Sequence, residues 1–181
     1  MNSKFLPIKE IHFLIKLKYN VISKIVFFPI KKKFGNKFRF FVSGGAPLTI
    51  EIEEFFDALG LLVLQGYGLT EAAPVVTVNT LQKRKRGTVG IPVADKIMIA
   101  HDGEILVQGP NIMKAYLHKI KETKKTLSGH WLHTGDIGGV DEEGFLHITG
   151  RKKNLIVTSY GKKIAPEPIE EELVESKYIT Q

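Results

Sequence analysis

The apolar run Phe38-Arg39-Phe40-Phe41-Val42 leads straight into the turn Ser43-Gly44-Gly45-Ala46-Pro47. A second run, Leu61-Leu62-Val63-Leu64, leads into Gly66-Tyr67-Gly68-Leu69-Thr70-Glu71. Between them Ile52, Phe55, Phe56 and Leu59 keep helical spacing, Thr49 stands at the start as a cap and Gly60 stands at the stop. Strand, helix, strand is the grammar of a parallel sheet, and such sheets gather ligands at the carboxyl ends of their strands. Both glycine-containing turns fall at that end.

The character of the chain changes after Lys83-Arg84-Lys85-Arg86-Gly87. The segments 88–100, 103–108 and 144–149 read as short strands, punctuated by Asp102-Gly103, Gly109-Pro110 and Glu143-Gly144, which implies a small antiparallel sheet or barrel. Gly150 to Asn154 is a charged connector, Leu155-Ile156-Val157 opens a new element, and 168–176 reads as a helix with Pro168 in its first turn. The fold class is therefore α/β. Part of a parallel α/β subdomain precedes a small β-barrel-like subdomain and the start of an α+β C-terminal domain. The predicted boundaries are 1–37 for a basic amphipathic helical segment, 38–86 for the α/β part, 87–150 for the β-rich part, and 151–181 for the connector and last element.

Charge is concentrated at one end. Residues 1–39 carry ten Lys or Arg and one Glu, a balance of +9, whereas the remainder balances to −2. Within 8–30 the lysines alternate with Ile11, Phe13, Leu14, Ile15, Leu17, Val21, Ile22, Ile25 and Val26, as on a helix with a wide apolar face that ends at Pro29, Lys31-Lys32-Lys33 and Gly35. Such a segment is either a solvated helix face or a membrane-surface contact through residues 8–33. No nucleic-acid motif accompanies the charge, so nucleic acid is not an expected partner. The 181 residues include no cysteine, which rules out disulfides, thiolate nucleophiles and Cys-ligated metals and fits a cytoplasmic setting, with peripheral contact at the inner membrane face as the alternative. There is no long apolar run and no signal-peptide pattern.

The candidate chemistry sits in the turns. Gly44 and Gly45 let backbone approach a flat ligand, or simply make a tight strand-to-helix turn. Tyr67 between Gly66 and Gly68 can pack on a planar base. Thr70 offers a hydroxyl and Glu71 a hard carboxylate, the pair that a phosphate with Mg²⁺ requires; the plain alternative is a glycine-rich turn with a capping Thr. Asp136, in His133-Thr134-Gly135-Asp136-Ile137-Gly138 after the single tryptophan Trp131, can accept two ribose hydroxyls or can be an ordinary turn Asp. Arg151 brings a donor fork suited to ribose or phosphate oxygens, against the alternative of a surface charge. His101, His118, His130, His133 and His147 show no metal-ligand spacing, and His133 is only a site neighbour.

Taken together, these stretches resemble the adenylate-forming enzymes, a family of acyl-CoA synthetases, luciferases and peptide-synthetase adenylation domains, and most closely the bacterial long-chain fatty acyl-CoA synthetases. The matching stretches are 40–48, 64–76, 87–92, 102–116, 131–138 and 144–172, so the resemblance covers about residues 36–181. It implies a ligase that uses ATP to turn a fatty acid into an acyl-adenylate, releases pyrophosphate, and passes the acyl group to coenzyme A with release of AMP. It also implies roles. Gly44, Gly45, Ala46 and Pro47 line the adenine side, and Tyr67 with Gly68 lies against the base. Thr70 meets the α-phosphate and Glu71 holds Mg²⁺. Asp136 and Arg151 hold the ribose, Lys153 is the hinge of the small C-terminal domain, and 159–166 resembles the loop of the thioester step.

The sequence also departs from the family pattern. Nothing in 1–37 resembles the Ser/Thr/Gly-rich phosphate loop with its lysine, and the chain stops before the catalytic lysine of the small domain. Tyr160 stands where the family has glycine, and Asn154 where Asp is common. The expectation is the central part of a synthetase: a fragment, a split-gene half that needs a complementary chain carrying the phosphate loop, or a remnant. A non-catalytic nucleotide or acyl-adenylate binding module is the alternative, beside a basic membrane-surface adaptor and an unstable relic with unpaired sheet edges.

Overall fold

The computed structural model describes residues 28–35, 37–93, 96–174, 176, 178 and 179. They group into two compact units, one holding residues up to Phe41 with Ile50–Val63, the other Val42–Thr49 with Leu64 onward.

In the first unit, Phe28–Lys33 is helical (α1) and Pro29 lies inside that helix rather than at its end. Gly35 ends it at φ 89°, its N–H donating to the Lys32 carbonyl. The predicted apolar face of 8–27 lies outside the described residues. The strand predicted over 38–42 is shorter than its apolar run: only Phe41–Ser43 (β1) pairs. The reason is aromatic packing. Phe38 packs tilted against Phe41 at 4.5 Å centroid distance, Phe34 meets both rings, and Phe41 meets Phe56 edge-on at 5.6 Å. Nor is the strand buried, since Val42 is 69% exposed.

The helix that follows, Ile50–Ala58 (α2), begins directly after Thr49. Its inward row is Glu53, Phe56 and Leu59, whereas Ile52 and Phe55 of the predicted stripe face solvent. Gly60, at φ 66°, closes the helix as the sequence predicts: its N–H donates to the Asp57 carbonyl and that of Leu61 to Phe56.

The second unit is mostly sheet. A four-stranded sheet runs in the order β1, β2 (Val63–Gly68), β3 (Val75–Val78), β4 (Ile91–Pro92). The strand–helix–strand unit β1–α2–β2 is present, but β2–β3 and β3–β4 pair antiparallel. Gly66-Tyr67-Gly68 is the end of β2 and not a turn. A single helical turn, Thr70–Ala72, follows it.

The second sheet has five strands: β5 (Lys96–Ile99), β6 (Glu104–Gln108), β8 (Trp131–Val140) and β7 (Leu127–Ser128) in that order, with β9 (Leu146–Arg151) also on β8. It is the antiparallel sheet of the sequence reading, and it does not close into a barrel. A short helix α3 (Ile120–Thr126), absent from the sequence reading, leads into β7. Ala72 and Val76, from the segment after β2 and from β3, join Ile105, Val107, Leu132 and Leu146 of the second sheet in one buried core, with Tyr67, Leu69 and Val89 packed on it.

A strap at residues 88–90 joins the sheets. Val89 N–H donates to the Leu146 carbonyl and Leu146 N–H to that of Gly90, both at 2.8 Å, while Thr77 Oγ1 donates to the Val89 carbonyl. Beyond β9 come a helical turn at Lys152–Asn154, the hairpin β10 (Ile156–Val157) and β11 (Lys163–Ile164), and α4 (Glu167–Val174) with Pro168 in its first turn. Among the described residues no helix is long and apolar enough to cross a membrane.

Candidate nucleotide site

The centre of the site is one buried carboxylate. Asp136 lies within β8, not in a flexible turn, and is 5% exposed. Its register partner on β9 is Arg151, whose Nε donates to Oδ1 at 2.6 Å. From the other sheet, at the end of β2, the Tyr67 hydroxyl donates to Oδ2, also at 2.6 Å. The structure therefore brings together three residues that lie far apart in sequence. Burial first, then the hydrogen bond and charge of Asp136, push the Tyr67 phenol well above the ordinary tyrosine range, so it stays a donor. The same carboxylate raises Arg151 further, which keeps the guanidinium charged.

The backbone explains how Asp136 leaves the β6 ladder while keeping its place opposite Arg151. β6 advances two residues, from Glu104 opposite Ile137 to Leu106 opposite His133, while β8 advances four. The surplus residues bulge. Gly135 takes φ 75° within the bulge, the Asp136 N–H donates to Thr134 Oγ1, and Thr134 Oγ1 donates to the Ile105 carbonyl.

Glu71 sits on the helical turn after β2. Its Oε1 accepts the Tyr116 hydroxyl at 2.6 Å, and its backbone carbonyl accepts the Met113 N–H at 2.8 Å. The bond to Glu71, then burial, raises the Tyr116 phenol. Arg151 also feels the Glu71 charge, so the two groups are within electrostatic range. Thr70 is exposed, and its hydroxyl makes no hydrogen bond among the described residues. The loop Gly44-Gly45-Ala46-Pro47 is exposed and backs onto β2: a Cβ on Gly44 would come within 3.0 Å of the Gly66 carbonyl oxygen, and Gly45 sits at φ 85°. Gly68 has no room for a side chain beside Pro74 and Val75. Lys153 is exposed on the turn after β9, one residue beyond Lys152. Among the described residues no group of three or more His, Asp or Glu could hold a metal.

Sequence reasoning missed Tyr116, Glu104 and Lys152. Glu104, at the head of β6, is 4% exposed and accepts from Gly135 N–H (3.0 Å), His133 Nδ1 (3.1 Å) and Lys152 Nζ (2.8 Å). Lys152 also pairs with Asp102. The two departures from the family pattern have local reasons. Asn154 Nδ2 donates to Glu167 Oε1 at 2.8 Å, where an Asp would set two carboxylates together. Tyr160 is 97% exposed at the β10–β11 turn, where Gly161, not Tyr160, takes the positive φ.

The sequence matches the AMP-binding enzyme family over residues 18–117. The chain belongs to that family. It is 40% identical over 169 residues to the long-chain-fatty-acid–CoA ligase FadD15 of Mycobacterium bovis, across 93% of this chain and 28% of the relative. With the long-chain-fatty-acid–CoA ligase of Bacillus subtilis it shares 38% identity over 154 residues, across 77% of this chain and 27% of that one. Among solved structures, the B. subtilis O-succinylbenzoate coenzyme A synthetase in complex with ATP and magnesium superposes with a TM-score of 0.71 at 31% identity, covering 79% of this chain and 32% of that one. The same enzyme with its acyl-adenylate intermediate gives 0.71 at 30% identity, across 79% of this chain and 32% of the other. The chain thus spans under a third of the length of these relatives.

Proposed function

We propose that this chain supplies the adenosine and α-phosphate part of the site of an AMP-forming fatty acid–CoA ligase. The observation that carries the reading is the convergence of Tyr67 and Arg151 on the buried Asp136, with Glu71 nearby. An ionised carboxylate offers about four acceptor positions. Two are taken by Tyr67 and Arg151, and the rest suit the two ribose hydroxyls. Tyr67 is fixed by its hydroxyl, so its ring is preorganised as a wall for the base beside Gly68, with the 44–47 loop on the adenine side. Thr70 offers an exposed hydroxyl to the α-phosphate.

Glu71 fits a magnesium ion: it is a hard oxygen donor with Oε1 already oriented by Tyr116, and a cation shared with phosphate needs few protein ligands. When bound, the ion supplies charge neutralisation at the phosphate. Fatty acid and coenzyme A are the proposed co-substrates and Lys153 the proposed hinge, on the naming of the ligase relatives and the resemblance of the motifs. Palmitate-dependent ATP–pyrophosphate exchange tests the reading. Exchange that disappears in Glu71→Ala supports it. Saturable AMP binding without exchange would leave a nucleotide-binding module or one half of a split synthetase. Absence of both in a folded preparation overturns it.

A further inference from the structure

Glu104 is a buried carboxylate that the nucleotide reading does not use, and its bonds have a pattern. The bulge in β8 frees the backbone of 134–136 from the β6 ladder, and a freed N–H in a buried place needs an acceptor. Glu104 Oε1 provides it for Gly135, the residue immediately before Asp136. Its Oε2 accepts from Lys152, the residue immediately after Arg151, and faces His133. Asp136 and Arg151 are partners across β8 and β9. A single side chain from a third strand therefore holds the neighbour of each member of that pair. Asp102, which also accepts from Lys152, fixes the lysine from the hairpin just ahead of β6.

Resting on the nucleotide-site reading, we propose that Glu104 is a positioning residue: it sets the Asp136–Arg151 pair for the nucleotide's ribose through Gly135 and Lys152, without touching the nucleotide. The charge matters as well as the shape. A glutamine of the same size keeps one acceptor but turns an amide N–H₂ toward Lys152 or Gly135, so one of the two ties is lost. The bulge then relaxes and the Asp136 carboxylate moves within its plane, which costs affinity where hydrogen-bond geometry is tight.

The test is calorimetric titration of AMP into the whole chain and its Glu104→Gln, Lys152→Met, Asp136→Asn and Asp141→Asn variants. Asp141 pairs with Lys85 in the β8–β9 turn and serves as the structural control. The expected result is a Kd raised about 10-fold in Glu104→Gln and less in Lys152→Met, with the double variant no worse than Glu104→Gln alone. Asp141→Asn should lower the thermal midpoint without changing Kd. The Gly135 amide proton should shift upfield by NMR in Glu104→Gln as its carboxylate acceptor is lost. If Glu104→Gln does not fold, Lys152→Met carries the test, and an unchanged Kd there overturns the proposal. Weakened binding in Asp136→Asn with unchanged Kd in Glu104→Gln overturns the positioning role while the site reading stands. Unchanged binding in Asp136→Asn, or no saturable AMP binding by the unsubstituted chain, overturns both.

Discussion

At the scale of single residues, the site is governed by what one carboxylate can accept. Asp136 is buried with two strong donors facing it, and one of them, Tyr67, is kept neutral first by its burial and then by that contact. Removing the hydroxyl should therefore cost more than a surface hydrogen bond. Tyr67→Phe is expected to lower unfolding free energy by about 2 kcal/mol, the range for bonds to charged groups. The pH sign follows from the raised pKa. The contribution is complete below the unfolded value near ~10 and fades only above it. Denaturant midpoints of wild type and Tyr67→Phe should thus stay a constant distance apart from pH 6 to 9; a gap that closes within that window would contradict the assignment of Tyr67 as donor. Tyr67, Asp136 and Arg151 were each visible as candidates in the sequence, because glycine neighbours and a hard polar group in an apolar setting mark them out. Glu104 and Tyr116 were not, since a glutamate at a hairpin and a tyrosine in a loop carry no local signal until the fold supplies their partners.

Elements tell a different story. Gly60 after a helical run and the Asp102-Gly103 turn are local signals, and both give the observed boundaries. β8 has no such signal. Gly135, Gly138 and Gly139 dilute its apolar alternation, so by propensity it reads as loop; it is a strand because β6, β7 and β9 all pair with it. The helical stripe on α2 misled for the opposite reason, because Phe41, itself packed on Phe34 and Phe38, takes up Phe56 while Ile52 and Phe55 remain outside. β2 depends on a backbone approach that permits no side chain. A Cβ on Gly68 would collide with the Pro74 carbonyl and come within 3.0 Å of Val75 Cα. Gly68→Ala must push β2 and β3 apart just where Leu69 N–H meets the Pro74 carbonyl. A loss on the order of 3 kcal/mol is expected, against little change for Val75→Thr on the facing strand β3, where Val75 is half exposed. Chemical unfolding of the two variants side by side gives the comparison, and equal losses would show that β2–β3 spacing is slack.

Across the whole molecule, carboxylates paired with lysines tie the second unit together, and they set its response to acid. Lys152 joins Asp102 and Glu104, at the head of β6, to the turn after β9; Lys85 joins the segment after β3 to the β8–β9 turn through Asp141 and Glu143. Burial alone would push the Glu104 carboxyl up, yet Lys152, His133 and the Gly135 N–H together outweigh it and hold it below the ordinary range. Lys152 does the same for Asp102, and Lys85 for Asp141. A carboxylate whose folded pKa is depressed adds stability that is present above its unfolded value, about 4, and is lost as pH falls through the folded one. The thermal midpoint should then be flat from pH 9 to about 5 and fall steeply below about 4. Because Glu104 is buried and Asp141 is solvated, screening weakens the second pair far more than the first. Glu104→Gln should lower the midpoint at pH 7 and flatten the acid limb, whereas Asp141→Asn should leave the acid limb nearly as steep as in wild type. Differential scanning calorimetry at pH 3.5, 5 and 7 separates the two. If Asp141→Asn flattens the limb as much as Glu104→Gln does, acid sensitivity belongs to the surface pairs and not to the buried tie between β6, β8 and the turn after β9.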